Sequence, residues 1–156
     1  MDMHMNKRTL SIIAGISYWI IFFAAIFANF MMLERIKADP VGAITDQHML
    51  VRAGIIAFMV TVVFDVVVAW ALYVRFKDHA LSLPSMLFRM MHAAIMAVAV
   101  FALPFALLET TAEAILHHVE VFNTIWLIGL FFFGFHLVLL GRILGRPRLI
   151  ALFLVI

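Results

Sequence analysis

The stretch Met49–Val74, MLVRAGIIAFMVTVVFDVVVAWALYV, carries two charges, Arg52 and Asp65, in a run that is otherwise almost wholly apolar. About 20 such residues suffice for an α-helix to cross the hydrocarbon core of a bilayer. Asp65 is the puzzle in it, because a carboxylate needs a partner there unless the surroundings are wet. Composition decides which surroundings apply. The chain is 67% hydrophobic and only 13% charged, with a mean hydropathy of +1.15, where a soluble domain is about 45–50% apolar. The sequence therefore reads as an integral membrane protein.

Working outward, three more runs of similar character appear. TLSIIAGISYWIIFFAAIFANFMML precedes the quoted stretch, beginning at Thr9, and Lys7 and Arg8 stand before it. It is too long for the h-region of a secretory signal, about 7–15 residues, and lacks a clean cleavage site. Pro84 and Ser85 announce a third run, within which Pro104 should kink the helix. The fourth contains WLIGLFFFGFHLVLLG, Trp126–Gly141. The expected fold is all-α, one transmembrane domain over residues 1–156, with a bundle of four helices over about 9–33, 49–74, 86–108 and 121–144. The residues after Arg148, LIALFLVI, are too few to span. This apolar tail, 149–156, is expected to lie in the interface, dock on another chain or be the stump of a longer helix.

The net charge of +2 and pI near 9.4 do not point to nucleic acid, since the basic residues sit in small groups between the apolar runs. Lys7, Arg8, Arg75, Lys77, Arg89, Arg142, Arg146 and Arg148 fall on one side, and Arg35, Lys37 and Arg52 on the other. That bias puts both termini in the cytoplasm, and the expected location is a multi-pass position in a cell membrane. There is no cysteine, so disulfides and thiolate chemistry are excluded. No nucleophile paired with a base, phosphate loop or H-E-x-x-H motif is present. The sequence identifies no reaction, and the reading leans away from an enzyme.

At 1.5 Å per residue, Asp65 lies about 13 Å from the cytoplasmic end of its helix and His136 about 9 Å from Arg142 at the cytoplasmic end of its own. Arg89 and His92 share one face of the third helix within its first two turns. Asp65, Arg89, His92 and His136 thus form an expected intramembrane polar cluster, with an Asp65–Arg89 pair the economical way to hold the carboxylate. The pair can lock two helices together, or serve a proton relay, a ligand or a cofactor. His92 and His136 on separate helices suit haem or a metal from opposite sides, with Gly134 as room for a flat ligand if its face is inward. Interhelical hydrogen bonding is the plainer reading of both. No cofactor is predicted; haem or a divalent metal stays as the alternative.

Glu109, Glu113 and His117 recur at four-residue intervals, with Glu120 three further on. One helical face would carry them as candidate metal ligands, against the plainer reading of a solvated acidic loop. Met1, Met3, His4 and Met5 offer thioethers that suit Cu(I), against a disordered terminus. Small residues four apart, Ala24 and Ala28, Ala93 and Ala97, Gly141 and Gly145, allow close helix approach. The last pair, beside the tail, is a candidate surface for a homo-oligomer or a membrane-complex partner; the remaining partner is the lipid bilayer.

LVRAG at Leu50–Gly54, Asp65 followed by ALY at Ala71–Tyr73, LFRMM at Leu87–Met91 and FFGFHLVLLGRIL at Phe132–Leu144 together resemble the prokaryotic integral-membrane family called domain of unknown function 4386. The resemblance implies that Arg52, Asp65, Arg89, Gly134, His136 and Gly141 match the family pattern. It implies a prokaryotic cytoplasmic membrane as the location, and no activity. Members of that family usually continue past this endpoint with further hydrophobic sequence. Two functions remain open: a noncatalytic structural or accessory bundle, and a membrane protein that binds a small molecule, protons, or haem or metal through the Asp/Arg/His cluster.

Overall fold

A computed structural model describes residues 6–145. The methionine and histidine set at 1–5, Arg146, Arg148 and the tail 149–156 lie outside the described residues.

Among the described residues four helices are long and apolar enough to cross a membrane: α1 (Lys7–Ala38), α3 (His48–Arg75), α4 (Ser82–Ala106) and α5 (Ala112–Ile143). A short α2 (Pro40–Thr45) sits between the first two. Several boundaries have a local cause. Asn6 caps α1, its side chain accepting from the Arg8 N–H at 3.0 Å, and Asp39 caps α2 by accepting from the Gly42 N–H at 3.0 Å. Within α1 the stretch Phe27–Leu33 is π-helical, and the Glu34 N–H reaches back five residues to the Asn29 carbonyl. The Asn29 side chain donates to the Ala25 carbonyl at 2.8 Å at the edge of that widened turn. In α4 the regular helix Ser82–Phe101 stops and resumes as the single turn Leu103–Ala106. Pro104 explains the break, since it has no N–H and its ring crowds the carbonyl four residues back.

The fourth helix departs most from expectation. Instead of a loop over 109–120 and a helix from 121, α5 begins at Ala112 and runs 32 residues. The Thr111 hydroxyl accepts from the Ala114 N–H at 3.4 Å, and Glu113 sits in the first turn, where a carboxylate suits the positive end of the helix. At its other end Gly145, with φ of 63°, stops the helix in the left-handed conformation. Its N–H donates to the Arg142 carbonyl at 3.1 Å.

Helix α1 packs along α3, α3 against α4, and α4 against α5, whereas α1 and α5 do not pack along each other. The bundle divides by depth. Near the α1–α3 and α4–α5 connections the core is apolar, built on Met32, Phe58, Leu103, Ile115 and Phe122. Phe58 lies 5.0 Å from Phe122 and 5.3 Å from Trp126 between ring centroids. In the other half the centre is polar. Large side chains such as Trp19, Phe22, Val63 and Phe131 are exposed around the outside, as lipid contact requires and water disfavours.

Candidate functional site

The polar half is organised by one side chain. Arg89, on the second turn of α4, is 1% exposed and reaches all three other spans. Its Nη2 donates to Asp65 Oδ1 on α3 at 2.5 Å. Its Nη1 donates to the Tyr18 hydroxyl on α1 at 2.7 Å and approaches His136 Nε2 on α5 at 3.2 Å. The guanidinium also lies 4.9 Å from the Tyr18 ring centroid and 5.3 Å from that of Phe133, which adds cation–π attraction in a dry setting. A forked, planar cation is the side chain suited to so many directions at once.

These contacts assign the histidines. A guanidinium only donates, so His136 Nε2 accepts, and the single proton of a neutral imidazole sits on Nδ1. From there it donates to the Ser85 carbonyl at 2.9 Å, with Ser85 Oγ at 3.0 Å. His92 turns its Nε2 toward Asp65 Oδ2 at 3.6 Å and lays its ring on Phe133, 4.8 Å between centroids. Its Nδ1 has no hydrogen-bond partner among the described residues and lies against Gly129, where a Cβ would meet it at 3.3 Å. Both nitrogens of His136 are therefore taken by protein partners and one nitrogen of His92 faces a carboxylate.

Other sequence candidates sit elsewhere. Gly134 is exposed with nothing within 4 Å of a built Cβ, so it provides no inward room for a flat ligand. Two residues along a helix amount to about 200°, which turns it away from His136. Arg52 is exposed near the start of α3, Gly141 is buried, and Gly145 is the helix stop rather than part of a helical face. Glu109 precedes α5 and approaches His118 Nε2 at 3.3 Å, so it does not continue the face of Glu113, His117 and Glu120, which border a shallow hollow at the start of α5. Among the described residues no three His, Asp or Glu side chains converge as a metal-binding group.

Beside the cluster opens a cleft of about 830 Å³, where α1 and α5 fail to meet. Asp65, Arg89 and His92 form part of its lining, together with aromatic residues from α1 and α5. Sequence reasoning missed Tyr18, Ser85, Gly129 and Phe133. Gly129 and Phe133 were within reach, because they stand seven and three residues before His136 and so share its face. Tyr18 was hidden because a phenol passes for an apolar side chain in a hydropathy reading.

His136→Phe is expected to lower stability by about 1–3 kcal/mol, since it removes the acceptor of Arg89 Nη1 and the donor to Ser85. Ser85→Ala should cost less than about 1 kcal/mol, because the Ser85 carbonyl remains. Thermal unfolding of both variants in one detergent checks the order, and equal losses would contradict the assigned tautomer.

Fold and site together define a multi-pass helical membrane protein with a charged centre closed on all four spans and an open cleft beside it. The chain matches Domain of unknown function (DUF4386) over residues 13–156 and belongs to that family. No curated protein and no solved structure matches it.

Proposed function

We propose that the protein is a noncatalytic membrane binding protein that holds one largely apolar small molecule in the cleft between α1 and α5. The observation that carries this reading is the 830 Å³ cleft over the Asp65–Arg89 pair. A pair serving packing alone gains nothing from a gap beside it, and sites for small molecules span about 300–1,000 Å³ with mostly apolar walls and few polar groups. Ala25 lines the cleft and is half-buried, so Ala25→Phe narrows it at a point about two turns along α1 from Tyr18. The full chain, purified from membranes in mild detergent and extracted into organic solvent, is expected to yield one apolar species in near-stoichiometric amount. Ala25→Phe should deplete it about tenfold; matching extracts would defeat the reading.

A purely structural or accessory role, with a partner at the tail and around Gly141 and Gly145, is the second reading. It is favoured by the way Arg89 ties four helices, and it expects those matching extracts. In either case the bias of basic residues supports cytoplasmic termini in a prokaryotic cytoplasmic membrane. A reporter fused after Gly145 should give a cytoplasmic signal and one inserted between Glu109 and Thr111 an outside signal. The reverse pattern would overturn this orientation.

A further inference from the structure

We infer that the molecule taken by the cleft is an uncharged amphiphile with a carbonyl-type acceptor at one end of a long apolar body, an inference that rests on the binding reading above.

The head group follows from the hydrogen-bond balance at the Tyr18 end. The Tyr18 oxygen accepts from Arg89, so its own hydrogen remains to be donated, and no acceptor takes it among the described residues. Tyr18 is 37% exposed and lines the cleft. Trp19, also in the lining, carries an indole N–H that only donates, and it has no protein acceptor among the described residues. Arg89 Nε, buried in the same centre, has no partner there either. The Thr61 hydroxyl spends its hydrogen on the Phe58 carbonyl at 2.7 Å. The Tyr18 O–H and the Trp19 N–H thus line this end of the cleft as donors without a protein acceptor among the described residues, and a carbonyl oxygen is their complement.

Charge sets the second condition. The Arg89 cation and the Asp65 anion cancel in direct contact, His136 is neutral by its contacts, and His92 faces a carboxylate already held by Arg89. Glu34, at the far end of the cleft, is paired with Lys37 at 2.9 Å. With both imidazoles neutral the wall sums to zero, so a charged head would enter a dry site without a counter-ion. The body follows from shape: along α1 the lining runs from Tyr18 to Glu34, roughly 24 Å at 1.5 Å per residue. Since α1 and α5 do not pack along each other, entry is sideways from the bilayer.

The test uses the full chain in lipid nanodiscs with Trp70→Phe as background, so that Trp19 and Trp126 report. A benzoquinone with a decyl tail is titrated as a quencher, its concentration counted per lipid. A ten-carbon monoacylglycerol, the ten-carbon fatty acid anion and the plain ten-carbon hydrocarbon serve as competitors. The expected result is that quinone and acylglycerol bind at least about tenfold more tightly than anion or hydrocarbon. Whichever of the two binds better tells a ring carbonyl from an ester carbonyl, and both support the inference. Tyr18→Phe should weaken the two carbonyl probes about five- to tenfold, the value of one neutral hydrogen bond, and leave the hydrocarbon unchanged. Equal binding of hydrocarbon and carbonyl probes, tighter binding of the anion, or a uniform effect of Tyr18→Phe overturns the inference. In those cases, loss of binding in Ala25→Phe keeps the cleft reading alive; binding indifferent to Ala25→Phe ends both.

Discussion

Arg89→Ala is expected to destabilise the protein by about 3–5 kcal/mol, the range for stripping one partner from a buried ion pair. The loss has three sources. Asp65, 4% exposed, is left as a carboxylate without a cation. Tyr18 and His136 lose their donor, and the space of the largest fully buried side chain among the described residues is left empty. Asp65→Asn should cost about half as much. The amide oxygen still accepts from Nη2, and the guanidinium keeps Tyr18, His136 and two aromatic faces. The double variant should recover part of the Arg89→Ala loss, because the stranded carboxylate is gone. Thermal unfolding of both singles and the double in one detergent measures the coupling, and strictly additive losses would mean that the two side chains do not interact. Arg89→Lys adds a check on geometry: an ammonium cannot reach α1, α3 and α5 in one plane, so keeping the charge should not keep the stability.

Asp65 and Arg89 are legible from sequence because a charge inside an apolar run demands an explanation, and depth along each helix narrows the partners. What depth cannot supply is rotation about the helix axis. Gly134 and Gly129 are both plausible gaps near His136 by distance along the chain, yet only Gly129 shares its face. The four-span reading rests on length and hydropathy, which four observed helices satisfy. The start of α5 was obscured for a different reason. A polar stretch of Glu, Thr and His reads as a loop by composition, while the Thr111 cap and the 32-residue length let helix project beyond a hydrocarbon core of about 30 Å. The π-helical stretch of α1 has no composition of its own, since FANFMML is as compatible with an ordinary helix. It shows only in which carbonyl each N–H finds.

That stretch bears on the second large effect, at Gly54. A Cβ built there would lie 2.5 Å from Met32 Cβ and 2.6 Å from its Cγ, so α1 and α3 cross too closely for any side chain at this point. Alanine is intrinsically the better helix residue, by about 1 kcal/mol, and two forces therefore compete in Gly54→Ala. The clash should win with a net loss of about 1–3 kcal/mol, because a β-carbon cannot rotate away and lipid supplies no hydrophobic drive to hold strained helices together. Gly15→Ala, with nothing within 4 Å, gives the propensity effect alone and should be neutral or slightly stabilising. The decisive comparison changes the other side of the crossing. Met32→Ala keeps the Cβ contact and removes only those to Cγ and Cε, so Gly54→Ala should keep most of its cost in that background. Met32→Gly removes it, and there Gly54→Ala should cost almost nothing beyond the Met32→Gly loss itself. Thermal stabilities of these five variants and the wild type in one detergent complete the cycle. An undiminished cost of Gly54→Ala in the Met32→Gly background would mean that something other than this backbone approach keeps residue 54 bare.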